Sequence, residues 1–203
     1  MLELDEHAAV IEQGGASLVP GSAEDDDRAT RTLCGVAATL HAASDRAFSE
    51  RPHGLIPLDV WFRALFARAE RGGPYARGAD LARRLIARGG HTVVLHGDLH
   101  HGNVLDFGAR GWLAIDPKYL IGDRVFDYTN ILCNPDPVLA ESRFDRRVEL
   151  ISQLAGIPER ELLEWIVAWT ALSASWFADD GRDDDERRIL RIGALAEARL
   201  SIG

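Results

Sequence analysis

Lysine is almost missing from this chain. Of its 23 basic residues one, Lys118, is lysine, and the rest are arginine. Cysteine is scarce as well: Cys34 and Cys133 lie in apolar, helix-like surroundings with no metal-ligand spacing. That argues against a disulfide framework and for reduced, buried thiols in a cytoplasmic protein. No apolar run reaches the length of a membrane span. The opening "MLELDEHAAV" is acidic, where a signal peptide would be basic and then apolar. With a formal net charge of −9, nucleic acid and anionic membrane are disfavoured as partners, and a cationic small molecule would suit the chain. The plainer reading is that the acidity only aids solubility. There is no internal repeat and no low-complexity linker.

What is present is an ordinary globular mixture, 46% hydrophobic and 27% charged, in 203 residues, enough for one well-buried domain. Residues 2–5 and 8–12 suit short edge strands. "GGASLVPGSAEDDD" reads as a loop that turns acidic at a helix start, where carboxylates complement the helix dipole. Leu33, Val36, Ala37 and Leu40 recur at helical spacing within 29–42. Helices are also expected at 58–71 and 76–88. "HTVVLHG" (91–97) has the pattern of a buried strand, and 103–107 with 112–115 read as a hairpin around "GARG". Helix is then expected at 124–133, 138–155, 158–178 and 184–200, with Pro158 in a first turn. The fold class is mainly α with a small central β-hairpin.

The chemistry is concentrated in "HGDLHHGNVLDFGARGWLAIDPK", residues 96–118. Its pattern His-x-Asp-x-x-x-x-Asn with a later strand-end Asp (His96, Asp98, Asn103, Asp116) is a catalytic-loop layout for phosphoryl transfer. There, one Asp accepts the proton of the attacking hydroxyl, while the Asn and the second Asp hold magnesium on the nucleotide phosphates. A hairpin turn between Ala109 and Arg110 sets Asn103 directly opposite Asp116, with Cβ atoms about 5 Å apart. Asp98 lies in the loop feeding the first strand. The literal Asp-Phe-Gly of Asp106, Phe107 and Gly108 then sits some 10 Å further along, a strand-end decoy. A rival reading takes His96, Asp98, His100 and His101 as ligands of a metallohydrolase. No distant histidine cluster completes that set, because His7, His41, His53 and His91 are scattered.

The stretch "VVLHGDLHHGNVLDFGARGWLAIDPKYLIGDRVFDYTNILCNPD" resembles the aminoglycoside phosphotransferase branch of the kinase-like fold. Within it, the likeness is to the streptomycin 6-phosphotransferase and hydroxyurea phosphotransferase subfamily. His-His before Gly-Asn, "GWLAIDPK" and "FDYTN" carry it, and "WIVAWTALSASWF" fits. The resemblance implies ATP-dependent phosphorylation of a hydroxyl on a streptomycin-like aminoglycoside, an antibiotic-resistance activity, with ATP and magnesium. It implies Asp98 as catalytic base and Asn103 and Asp116 as magnesium ligands. His96, with His100 and His101, would support the loop, and Asp127 would cap or brace it.

The family also has an N-terminal lobe with a phosphate-covering loop and a strand lysine. Neither Gly14-Gly15 nor Gly72-Gly73 makes a convincing phosphate loop, and Lys118 follows the metal aspartate and so reads as a bystander. The expectation is therefore the C-terminal lobe of a protein-kinase-like α+β fold. Residues 1–20 would be a hinge-strand remnant and linker, with Leu2, Glu3 and Leu4 at the adenine edge, and 21–203 the helical lobe. Such a lobe would expose apolar surface around Leu2–Ile11 and Val93–Leu95 and self-associate through it. The alternative is an inactive fragment that binds a cationic molecule or a partner.

Trp165, Trp169, Leu172 and Trp176 share one face of the 158–178 helix, which reads either as core or as one wall of an acceptor cleft. Asp179 and Asp180, just beyond it, and the run Asp183–Glu186 suit a guanidinium-bearing substrate. The plainer account is helix-end solvation, with Asp183 or Asp184 as a cap.

Overall fold

The computed structural model describes residues 3–4, 9–10, 13–47 and 54–202. The described chain is mostly helical, with three small sheets. Leu2 lies outside the described residues. Next to it, β1 (Glu3–Leu4) pairs antiparallel with β2 (Ala9–Val10), Glu3 against Val10.

The first helix, α1 (Ala23–Ala47), starts earlier than its apolar spacing alone indicates. Ser22 Oγ accepts the Asp25 amide at 3.1 Å and donates to the Asp25 carboxylate at 2.8 Å. This cap draws the acidic run into the first turn, at the positive end of the helix dipole. The buried residues of α1 (Asp26, Ala29, Thr30, Leu33, Cys34, Ala37, His41 and Ser44) fall at three- and four-residue intervals, so one stripe faces inward. Asp26 pairs with Arg147 of α6 (Pro137–Ala155), and both side chains are fully buried. Arg147 Nε lies 3.1 Å from the Asp26 carboxylate, and Nη1 donates to the carbonyl of Ile131 at 3.0 Å.

Instead of one helix over 58–71, the chain forms α2 (Leu58–Trp61), α3 (Arg63–Arg68) and a short 3-10 turn, followed by α4 (Gly73–Arg88). The central helix is α7 (Glu159–Asp179), buried almost continuously from Leu162 to Ser175, with α4 and α8 (Asp183–Leu200) packed against it. Trp165, Trp169 and Leu172 belong to the core, whereas Trp176, one turn from the helix end, is only partly buried. The tryptophan face is thus core along most of its length and cleft wall at its end. Asp183 and Asp184 do not cap α8: Arg182 occupies that position, without a side-chain cap, and the acids lie in the first turn.

Strand β4 (Thr92–Leu95) finds its partner in a strand that pattern reading misses. β7 (Leu120–Asp123) pairs antiparallel with β4, Leu95 opposite Leu120, and parallel with β3 (Ile56–Pro57). Sequence reading leaves this region without an element ahead of the helix expected at 124–133, which appears as α5 (Phe126–Thr129) continuing as a 3-10 turn to Cys133. The expected exposure of Val93–Leu95 is overturned: Val93 and Leu95 are 0% and 1% exposed, because β7 and α1 cover them. The side chains of residues 2–11 lie outside the described residues.

The hairpin consists of β5 (Val104–Asp106) and β6 (Trp112–Ala114), with Val104 opposite Ala114 and Asp106 opposite Trp112. This register differs by one residue from the expected one. The loop has an odd length centred on Ala109, with Gly108 and Gly111 at left-handed φ of 61° and 74° and the Phe107 amide on the Gly111 carbonyl at 2.9 Å. Asn103 consequently faces Ile115, whose amide donates to the Asn103 carbonyl at 2.9 Å. Asp116 follows one position later, at a left-handed φ of 60°.

Candidate active site

The loop leaving β4 is fixed from below by Asp127. This residue of α5 is 1% exposed. One carboxylate oxygen accepts the amide of His96 at 3.0 Å, the other that of Gly97 at 2.8 Å, and His41 Nε2 lies 2.8 Å away. Gly97 is required here twice over. Its φ is +81°, and a Cβ at this position would stand 2.7 Å from Leu120 and 3.1 Å from the Cβ of Lys118.

His96 locks the loop to the strand end. Its Nδ1 accepts the Asp98 amide at 3.2 Å, so that nitrogen carries no proton, and Nε2 donates to the Ile115 carbonyl at 2.8 Å. His100 Nδ1 accepts the Gly102 amide at 3.0 Å and its Nε2 stands 3.8 Å from Asp98. Burial holds the His100 imidazole below its ordinary value, against the opposing pull of Asp98. His101 points into the interior and is 0% exposed, with no hydrogen-bond partner on either ring nitrogen among the described residues. Burial, reinforced by Arg147, lowers it to about 3, so it packs as a neutral ring. The three histidines therefore do not converge as ligands. Among the described residues no three His, Cys, Asp or Glu side chains form a metal cluster, which removes the support for the metallohydrolase reading.

Asp98 is the residue on which the site converges. Asn103 Nδ2 donates to its carbonyl at 2.9 Å and to its Oδ2 at 3.2 Å, and Asn130 Nδ2 donates to its Oδ1 at 2.8 Å. Asn130 is in turn held by Asn134, whose Nδ2 donates to Asn130 Oδ1 at 2.8 Å. Sequence reading passed over Asn130, although it is the last letter of "FDYTN". Asp116 and Asn103 are not directly opposed as expected: Asn103 contacts the Asp98 carboxylate, whereas Asp116 is joined to it through Lys118. The Lys118 Nζ lies 2.6 Å from Asp116 and 3.5 Å from Asp98. Hydrogen bonding to Lys118 holds the Asp116 carboxyl below the usual carboxylate range. Lys118, set aside as a bystander in the sequence, thus stands beside both carboxylates. Asp106 turns its carboxylate to the amide of Gly108 at 2.8 Å, at the far end of the hairpin.

Asp98, His100, Lys118 and Asn130 open into a cleft of about 630 Å³. Its far side is built by Trp61, Trp169, Ser173, Trp176 and Phe177, with Arg182, Asp185 and Arg188 from the start of α8. Trp61 and Trp176 meet edge to face with centroids 5.5 Å apart. Of the acceptor residues expected from sequence, Trp176 lines this cleft and Asp179 and Asp180 do not. Asp179 ion-pairs with Arg68 of α3, and Asp180 ends the helix. From the expected run Asp183–Glu186, Asp185 stands in the cleft, paired with Arg182 at 2.7 Å, and the Arg182 guanidinium lies 4.6 Å over the Phe177 ring.

The family described as aminoglycoside/hydroxyurea antibiotic resistance kinase matches residues 2–181. A streptomycin 3''-kinase of Klebsiella pneumoniae is 45% identical over 181 residues, covering 86% of this chain and 66% of that protein. A streptomycin 6-kinase of Streptomyces glaucescens is 31% identical over 188 residues, covering 85% and 59%. A hydroxyurea phosphotransferase of Kitasatospora aureofaciens is 33% identical over 88 residues, 43% of this chain and 25% of that protein. The chain therefore spans less than two thirds of the length of these relatives. Since the match runs through almost all of it, including the whole Asp98 loop, the chain belongs to the aminoglycoside/hydroxyurea antibiotic resistance kinase family.

Proposed function

We propose that this chain carries the acceptor-binding and catalytic-loop part of an ATP-dependent phosphotransferase that phosphorylates a hydroxyl of streptomycin or a similar guanidinium-bearing aminoglycoside. The observation that carries this reading is the convergence on Asp98. A carboxylate oriented by two amides opens into a cleft that also presents a second carboxylate and aromatic faces. In this reading residues 21–203 are the helical lobe of a kinase-like fold and Glu3–Leu4 belong to the hinge edge.

Asp98 takes the proton of the acceptor hydroxyl as the oxygen attacks phosphorus. Asn103 and Asn130 hold its two oxygens so that one lone pair faces the cleft. Asn103 and Asp116 fit a hard divalent ion: an amide oxygen and a carboxylate are suitable donors. Asn103 uses only its Nδ2 on Asp98, and a cationic ammonium already lies against Asp116. Held there, magnesium-ATP would supply the phosphoryl group, with the bond to the departing ADP broken as the bond to the acceptor oxygen forms and the metal offsetting the phosphate charge. Asp185 and Phe177 grip Arg182 with an ion pair and a ring face. Those are the contacts that a guanidino group of the acceptor needs.

The test is transfer from ATP to streptomycin. It is followed by the mass of the product, for this chain alone and for the chain joined to the part of the Klebsiella relative it does not match. Phosphorylated streptomycin from the joined form supports the reading. Absence of product from both, with streptomycin bound, would favour a binding protein without transfer activity.

A further inference from the structure

The single lysine of a chain with 23 basic residues stands in the candidate metal site. An ammonium is a compact point charge, whereas a guanidinium is a planar fork. Only the former resembles a small cation in the space it takes between two carboxylates. Its position is set by the backbone: the Lys118 amide donates to the His96 carbonyl at 2.7 Å, continuing the β4–β7 ladder into the loop. Its stem packs against Gly97. It is flanked by two non-glycine residues in left-handed conformation, Asp116 at φ 60° and Tyr119 at φ 56°. Such backbone strain persists only where the surroundings fix it, and it concentrates at functional sites.

We propose that Lys118 is the resident cation of the Asp98–Asp116 pair, and that a divalent ion reaches Asp116 only by displacing the Lys118 ammonium. The inference rests on the reading of Asn103 and Asp116 as metal ligands. Without a cation, Asp98 and Asp116 would repel each other across a half-open cleft. Lys118 holds them in place and makes bare metal ions compete for the site. A metal arriving with nucleotide phosphates brings its own anionic partners, and these offer the displaced ammonium a new one. The site would thereby favour the metal–nucleotide complex over the free ion.

Because Lys118 is the sole lysine, an amine-acetylating reagent with peptide mapping reports on it separately from the N-terminal amine. In the unmodified 203-residue protein, saturating Mn²⁺ should raise the acetylation rate of Lys118 severalfold over matched ionic strength without the metal. An unchanged or slower rate while Mn²⁺ binds would overturn displacement. Mn²⁺ affinity, read by electron paramagnetic resonance, gives the second arm. Lys118→Met should bind Mn²⁺ about threefold to fivefold more tightly than the parent, the scale expected for a partly exposed ion pair. Lys118→Arg, which keeps a cation there, should gain less. Asp116→Asn should remove the gain in the Lys118→Met background. Equal affinity in the parent and Lys118→Met would refute the competition. Tighter Mn²⁺ binding that survives Asp116→Asn would instead refute the assignment of Asp116 as a ligand.

Discussion

Asn130 donates through Nδ2 to the Oδ1 of Asp98 at 2.8 Å, and Asn134 holds Asn130 from behind at the same distance. A carboxylate on a loop rotates freely unless both oxygens are engaged, and here the second oxygen belongs to Asn103. Asn130→Leu keeps the volume and removes the donor. In a form competent for transfer it should lower kcat by about tenfold to a hundredfold while leaving the KM for ATP nearly unchanged, since Asn130 points at the base and not at the metal ligands. A parallel loss of ATP affinity would show that Asn130 works through the nucleotide side instead.

Asp98→Asn is nearly isosteric but cannot accept the proton. Turnover should fall by about 10²–10⁴-fold, the range for loss of a general base, with binding of a non-hydrolysable ATP analogue retained. Asp116→Asn should instead weaken metal-dependent nucleotide binding and turnover together. Equal behaviour of the two variants in the binding measurement would mean that base and ligand have been wrongly separated.

The difference between those variants also marks how far the sequence could be read. The loop pattern from His96 to Asn103, and the long helices, follow from local spacing and were legible. The register at Asp116 was not, because it depends on whether the hairpin loop holds an even or an odd number of residues, and "FGARG" admits both. β7 was missed because a four-residue strand containing Gly122 offers little pattern of its own, and its partner β4 lies some 25 residues earlier. Asp179 and Asp180 are close to the tryptophan face along the chain, but closeness in sequence does not fix direction. The direction in which a helix end points is set by what it packs on, and Arg68 of α3 claims Asp179. The run Asp183–Glu186 contains Asp185, but which of its carboxylates turns into the cleft is set by the packing of α8 on α7, which no local rule discloses.

The buried pair Asp26–Arg147 ties α1 to α6 and to the segment carrying Asn130 and Asn134. Removing one partner leaves an uncompensated charge in the interior. Asp26→Leu or Arg147→Met alone should each cost about 3–5 kcal/mol in urea denaturation. The double variant should recover most of that loss, since an apolar pair of similar volume needs no desolvated charge. Strictly additive losses would show that the two side chains act separately.

Cys34 provides a test on the alkaline side. Burial pushes its thiol up to about 12 from an ordinary 9.0, and burial raises Cys133 as well. Above about pH 9 the unfolded chain gives up a proton that the folded chain retains. The folded state then binds more protons than the unfolded one, so unfolding free energy must fall as pH rises through this window. The loss attributable to one such thiol approaches about 1.4 kcal/mol per pH unit. Cys34→Ala cannot ionise at that position. Near neutral pH it should be less stable than the parent, because a buried side chain has been trimmed. That deficit should shrink by about 1–2 kcal/mol when urea midpoints are compared near pH 10 instead of pH 8. The same burial should leave the Cys34 thiol unreactive to iodoacetamide in the folded protein and reactive in urea. If the parent and Cys34→Ala lose stability in parallel as the pH is raised, then Cys34 ionises in the folded state as readily as in the unfolded chain. The packing of α1 against the core would then be looser at that position than its burial implies.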